Sequence, residues 1–244
     1  MKLLQHCKSC ARRADTWTLF AASFFLILFF FAEVQGTLAS DNLLFSAFYR
    51  AFLLLLICAL FYLGGVLRIE RTKDPRIMRP LICLFFLLYL YLIFNFTLAD
   101  ASFGRGVDDS IYLSGENMRE YYREWFVNLR PFDSIYKVYI KGFLNDRLHW
   151  RAVFLNLLGN FCAFMPMSFF LPYLFKKQRR WYVFLVTALL TVTVVESLQY
   201  AFMVGSCDVD DLILNISGAI LLYGLLKIQP ISKKIEQITF SKSF

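Results

Sequence analysis

The residues best equipped for chemistry in this 244-residue sequence are amides and carboxylates set among apolar neighbours. Asn156 and Asn160 are four apart, Glu196 and Gln199 are three apart, and Asp208, Asp210 and Asp211 lead into Asn215. Spacings of three and four share a helix face, so each group predicts one polar stripe. Amides and carboxylates are costly in hydrocarbon unless partnered, and the stripes are expected to face one another. Together they could recognise a polar ligand, or Glu196 or an aspartate could act as a general acid or base. The aspartates could cap a helix or offer hard oxygens to Mg²⁺ or Ca²⁺; no EF-hand pattern accompanies them, and no metal or other cofactor is predicted. Upstream, Asn128 and Arg130 stand just before Pro131. Arg130 could grip phosphate, including that of a lipid headgroup, or a carboxylate bidentately; equally it could pair with Glu124, Asp133 or the Asp208 group. The histidines, His6 and His149, complete no Ser-His-Asp or Cys-His arrangement. Cys7 and Cys10 form a CxxC behind His6, but zinc lacks a fourth ligand nearby, which points to an ordinary reduced tail.

The elements that must position these residues follow from composition. Hydrophobic residues make up 59% of the chain and charged residues 18%, with a mean hydropathy of +0.55. Such a balance excludes a soluble domain. A crossing needs about 20 apolar residues, and runs at 16–34, 43–67, 80–99, 152–175, 181–203 and 211–228 predict an all-α polytopic transmembrane bundle of about six crossings. The first run is long for a signal peptide and no convincing cleavage site follows, so an uncleaved anchor is expected. Residues 1–100 read as scaffold helices, with Glu33 close enough to a helix end to reach the interface. Residues 101–228 hold an external loop, the last three crossings and the intramembrane polar groups; 229–244 form a tail. Pro166 is expected to free the Cys162 carbonyl and bend the fourth helix below Asn160.

Orientation follows from Lys and Arg. The net charge of +8 collects in short connectors rather than on a surface that nucleic acid would need. The N-terminal tail, the connector from Arg68 to Arg79, the Lys176 to Arg180 connector and the C-terminal tail carry the basic residues. Six crossings place all four on one side, and that side, with both termini, is expected to be cytoplasmic. The opposite face receives the connector around Asp41, the interval 100–151 and the turn 204–210. Aromatics in that interval, Tyr121, Tyr122, Trp125, Tyr136, Tyr139 and Trp150, suit the headgroup zone. Phe132, Ile135, Tyr136, Tyr139 and Phe143 recur at helical spacing, so 132–144 reads either as a helix along the interface or as a plain extracellular loop. At a rise of about 1.5 Å per residue, Asn156, Asn160, Glu196 and Asn215 lie about 6–12 Å below the outer ends of their helices. All fall in the outer half of the membrane, and a pocket open to the outside is the simplest packing that satisfies them.

At these residues the chain resembles the VanZ-like family. The resemblance rests on Asn128-Leu129-Arg130-Pro131-Phe132, Asn156-Leu157-Leu158-Gly159-Asn160-Phe161 with Phe164 to Pro166, and Glu196-Ser197-Leu198-Gln199. It closes with Asp208-Val209-Asp210-Asp211-Leu212-Ile213-Leu214-Asn215 and Gly218. Two positions depart from it. Gly205, Ser206 and Cys207 stand where some members carry an arginine, and Met167-Ser168 follow Pro166 where a glycine is common. The resemblance implies a multi-pass bacterial plasma-membrane protein, linked in the family's namesake to resistance to glycopeptides such as teicoplanin. The favoured expectation is a non-enzymatic envelope factor with membrane lipids, a lipid headgroup or a cell-wall precursor as partner. A membrane enzyme acting on a lipid-linked substrate is the alternative. A transporter comes third, since internal repeats and midplane polar residues are not evident.

Overall fold

A computed structural model describes residues 13–34, 43–99, 115–144 and 150–241. His6, Cys7, Cys10, Asp41, His149 and residues 100–114 lie outside the described residues. Hydrocarbon offers a backbone amide no partner, so an apolar run must bond to itself as a helix. The runs do so as α1 (Ala14–Val34), α2 (Leu43–Thr72) and α3 (Met78–Phe94, continued by a π-helical stretch Asn95–Ala99). Then come α4 (Gly115–Trp125), β1 (Val127–Asn128), a π-helical stretch Ile135–Ile140, α5 (Lys141–Leu144), α6 (Trp150–Ala163) and α7 (Met167–Leu174). The chain ends with α8 (Trp181–Phe202), β2 (Cys207–Asp208), α9 (Val209–Leu226) and α10 (Gln229–Thr239). Among the described residues, six segments are long and apolar enough to cross a membrane. Two compact units result, one reaching to Leu92 and taking in Glu236 onward, the other running from Ile93 to Ile235.

In the first unit α1 and α2 form an antiparallel pair. Ala22, Phe29, Leu54, Ile57, Phe61 and Leu88 make its core, while Phe20, Phe24, Ile27 and Phe31 face outward as lipid-facing residues do. Gly64 permits the close approach: a Cβ there would stand 2.8 Å from Leu19 Cγ. An ion pair pins each end of the hairpin. Arg71 lies 2.9 Å and Arg68 3.8 Å from the Asp15 carboxylate, which is buried; Arg50 lies 2.9 Å from Glu33. One sequence expectation changes here. Arg68 and Arg71 belong to α2 rather than to the connector, because long, helix-favouring side chains extend the helix beyond its apolar run. Glu33, at the end of α1, pairs with Arg50 across the hairpin. Lys73, at φ 60°, ends α2, and Asp74 caps the short turn into α3.

In the second unit α9 packs against α6, α7 and α8. Gly218 brings α9 onto α6, since a Cβ at that position would overlap the Phe161 carbonyl. The fourth crossing is broken outright at residues 164–166, a stronger interruption than the expected bend. The Cys162 carbonyl is not left free: it accepts from Met165 N at 3.2 Å, and tight bonds from Met167 and Ser168 carry the chain through the turn. Pro166 opens α7, where a missing N–H costs nothing. Ser168, at one departure from the family pattern, is fully buried and donates to the Ala219 carbonyl at 2.6 Å. At the other end of α9, Tyr223 stacks on Phe184 at 4.3 Å and donates to the Arg179 carbonyl at 2.7 Å. Lys227 reaches the same carbonyl, so the basic connector is tied to the end of α9.

The 132–144 segment is helical from Asp133, with the π-helical stretch over Ile135–Ile140. Phe132, Tyr136, Ile140 and Leu144 are exposed at intervals of four. The side chains of Tyr139 and Phe143 lie outside the described residues.

Candidate functional site

The site is assembled where α8 ends and α9 begins. Met203 takes a left-handed conformation at φ 53° and caps α8; Gly205, at φ 72°, turns the chain back, a conformation glycine adopts without steric cost. The returning strand β2 pairs in parallel with β1, Val127 opposite Cys207 and Asn128 opposite Asp208. The Cys207 N–H donates to the Phe126 carbonyl at 2.9 Å. This two-residue ladder places the Asn128–Phe132 loop against the aspartates.

Each of the three aspartates holds a different part of the structure. Asp208 is the N-cap of α9: its carboxylate accepts from Asp210 N at 2.8 Å and from the Asn128 amide at 3.0 Å. α9 therefore starts at Val209, ahead of the expected start at Asp211, because the cap satisfies its first free N–H groups. Asp210 is 1% exposed and accepts two loop amides, Phe132 N on one oxygen and Ile135 N at 3.0 Å on the other. Asp211 accepts from the Asn160 amide of α6. Asn128 closes the loop on itself: its amide donates to Ser134 Oγ at 2.9 Å and to the Arg130 carbonyl at 3.3 Å, while its oxygen accepts from Arg130 N at 3.0 Å.

From α8, Glu196 accepts the Asp208 N–H at 3.3 Å. Gln199 turns the other way and donates to the Thr97 carbonyl at 3.0 Å. Tyr122 is 1% exposed, stacked on Phe126, and donates to the Gln199 carbonyl at 3.3 Å. It is thus packed against α8, unlike the exposed Trp125 and Tyr136. Burial pushes the Tyr122 phenol up to about 12, helped by the negative charge at Cys207, Glu196 and Tyr200 when ionised. Burial also raises the Cys207 thiol, with further contributions from the Glu196, Asp208 and Asp211 carboxylates around it. Asn156 is exposed on α6. Arg130 is exposed too, and no carboxylate lies within ion-pair distance of it among the described residues. Asn215 is 4% exposed, and its amide oxygen has no hydrogen-bond partner among the described residues. Thr97, Ser134 and Ser168 were not foreseen: a hydroxyl or carbonyl is common everywhere, and only the fold shows which is used.

The aspartate carboxylates accept from backbone and side-chain amides, and among the described residues no cluster of three or more His, Cys, Asp or Glu could hold a metal ion. What the arrangement does chemically is join three crossings and one loop, through side-chain pairs at Asn160–Asp211 and Asn128–Asp208 and through side-chain to backbone bonds at Glu196 and Asp210, leaving the Asn215 oxygen and the Arg130 guanidinium uncommitted.

Six apolar segments and a polar cluster at the ends of two of them define a multi-pass helical membrane protein. The chain belongs to the VanZ/LLP1 family, whose model matches residues 84–230, from within α3 to the start of α10. Neither a curated protein nor a solved structure matches it.

Proposed function

We propose that the protein is a non-enzymatic factor of the bacterial cell envelope, resident in the plasma membrane, with the α8–α9 end facing outward. There the Asn160–Asp211 and Glu196–Asp208 pairs border a recess for a lipid headgroup or a cell-wall-precursor moiety. The observation that carries this reading is Asn215. A buried amide oxygen without a donor costs about 1–3 kcal/mol, and it sits one turn along α9 from Asp211. A ligand carrying hydroxyl or N–H donors would satisfy it. The surplus of Lys and Arg in the connectors at the opposite ends of the helices supports the orientation, and family membership makes glycopeptide tolerance the phenotype to measure.

Stability and function should separate at this residue. Asn215→Leu replaces an unpaired polar group with an apolar one of similar size, so thermal stability in detergent is expected to hold or rise by about 1 kcal/mol. Teicoplanin tolerance conferred on a sensitive bacterial host should nevertheless fall to the vector level at unchanged protein abundance. Asn160→Ala and Glu196→Gln should lose it as well. Full tolerance in all three would overturn the reading, as would a loss of stability in Asn215→Leu that tracks the loss of function.

A further inference from the structure

One buried carboxylate and one half-buried amide are committed to a single exposed loop. Asn128 holds the Arg130 backbone at both its N–H and its carbonyl, and buried Asp210 holds the amides of Phe132 and Ile135. Phe132 itself takes a left-handed conformation at φ 63°, which a bulky L-residue adopts only when its surroundings impose it. Yet the side chains this framework presents point away from it: Leu129 is 74% and Phe132 61% exposed. Between them stands Arg130, exposed, with no carboxylate to pair with among the described residues. Trp125 before the loop and Tyr136, Ile140 and Leu144 after it extend the exposed apolar row. Lys137 is matched by Asp133 at 2.8 Å, and Lys141 lies over the Tyr136 ring at 5.1 Å. Both lysines are thus occupied within the segment, and the guanidinium is not.

A guanidinium carried on a fixed backbone between two apolar side chains matches the layering of a bilayer surface, where phosphates lie just above the acyl boundary. Aromatic and apolar residues anchor at that depth, and guanidinium binds phosphate through paired N–H donors. We propose that the 129–132 loop reads the phosphate of a membrane lipid headgroup, Arg130 contacting the phosphate and Leu129 and Phe132 seated in the acyl boundary. Asn128 and Asp210 are positioning residues that hold the loop for it. This deepens the headgroup-binding reading above and rests on it: the phosphate of the headgroup goes to Arg130.

The test uses the full chain purified in a neutral detergent, with thermal unfolding followed as short-chain phosphatidylglycerol, dioctanoylglycerol or inorganic phosphate is added. Binding to the folded state raises the midpoint. The phospholipid should raise it, and the other two should not. Arg130→Gln, an exposed substitution that leaves the ligand-free midpoint unchanged, should weaken the apparent affinity for the phospholipid by about tenfold. Arg130→Lys should fall between, since it keeps charge but not the paired donors. Wild-type affinity in Arg130→Gln, or no response of the parent to the phospholipid, would overturn the proposal. An equal response to inorganic phosphate would overturn the lipid assignment. Loss of binding in Asn215→Leu with Arg130→Gln unaffected would overturn it while leaving the recess reading in place.

Discussion

Asp210→Ala is expected to destabilise the protein by about 3–4 kcal/mol, the sum of two hydrogen bonds to a carboxylate at roughly 1.5–2 kcal/mol each. Both carboxylate oxygens face backbone N–H groups of the loop, one on Phe132 and one on Ile135. Without them the left-handed Phe132 has nothing to impose its conformation, and the first turn of the following helix loses its acceptor. Asp210→Asn should be instructive because it changes one atom. It keeps one acceptor and turns the other into a donor facing an N–H, so a loss of about 1–3 kcal/mol is expected. Thermal unfolding in detergent gives the total. Limited proteolysis should show new cleavage confined to residues near 130–135. An Asp210→Ala protein as stable as the parent, with the loop still protected, would mean that the carboxylate does not hold it.

Gly218→Ala and Gly224→Ala should move stability in opposite directions although both lie on α9. Alanine is favoured over glycine in a helix by about 1 kcal/mol. At Gly224 nothing lies within 4 Å of the added Cβ, so that preference should appear as a gain of about 0.5–1 kcal/mol. At Gly218 the Cβ overlaps the Phe161 carbonyl. Backbone cannot swing aside as a side-chain end can, so α6 and α9 must separate at a net cost of about 1–3 kcal/mol. Separation also lengthens the Asn160–Asp211 bond, since both contacts lie on the same pair of helices. Gly218→Leu should therefore abolish whatever the α6–α9 contact supports. Equal effects at the two glycines would show that α6 does not approach α9 at this point.

These outcomes mark the limit of what could be read along the chain. Crossings were legible because a long apolar run in lipid has one backbone solution. Capping by Asp208 was legible as one of two choices, since an aspartate before a helix start has a short list of uses. The β1–β2 ladder was not: two residues per strand give no alternation to detect, and its partners lie 80 positions apart, as Asn128 and Asp208 do. Gln199 was assigned to the face of Glu196 on spacing alone, yet it bonds the Thr97 carbonyl. Three residues on a helix span about 300°, near enough to share a face and far enough to serve different neighbours. Asp15 went unremarked because only the antiparallel packing of α1 on α2 brings Arg71 to it. That intramembrane polar groups need partners was legible; that Asn160 takes Asp211 came from the fold alone.

Convergence of polar groups from separate crossings is tested most directly by trapping it in the native membrane. In a chain whose own cysteines are replaced, Asn160→Cys with Asp211→Cys should be joined rapidly by a short thiol crosslinker, and the linked peptides recovered by mass spectrometry. Asn160→Cys with Val194→Cys, the second site being 55% exposed on α8, should stay open under the same treatment. Efficient linkage of the first pair alone is the predicted result; linkage of the first pair no faster than that of the second would contradict it.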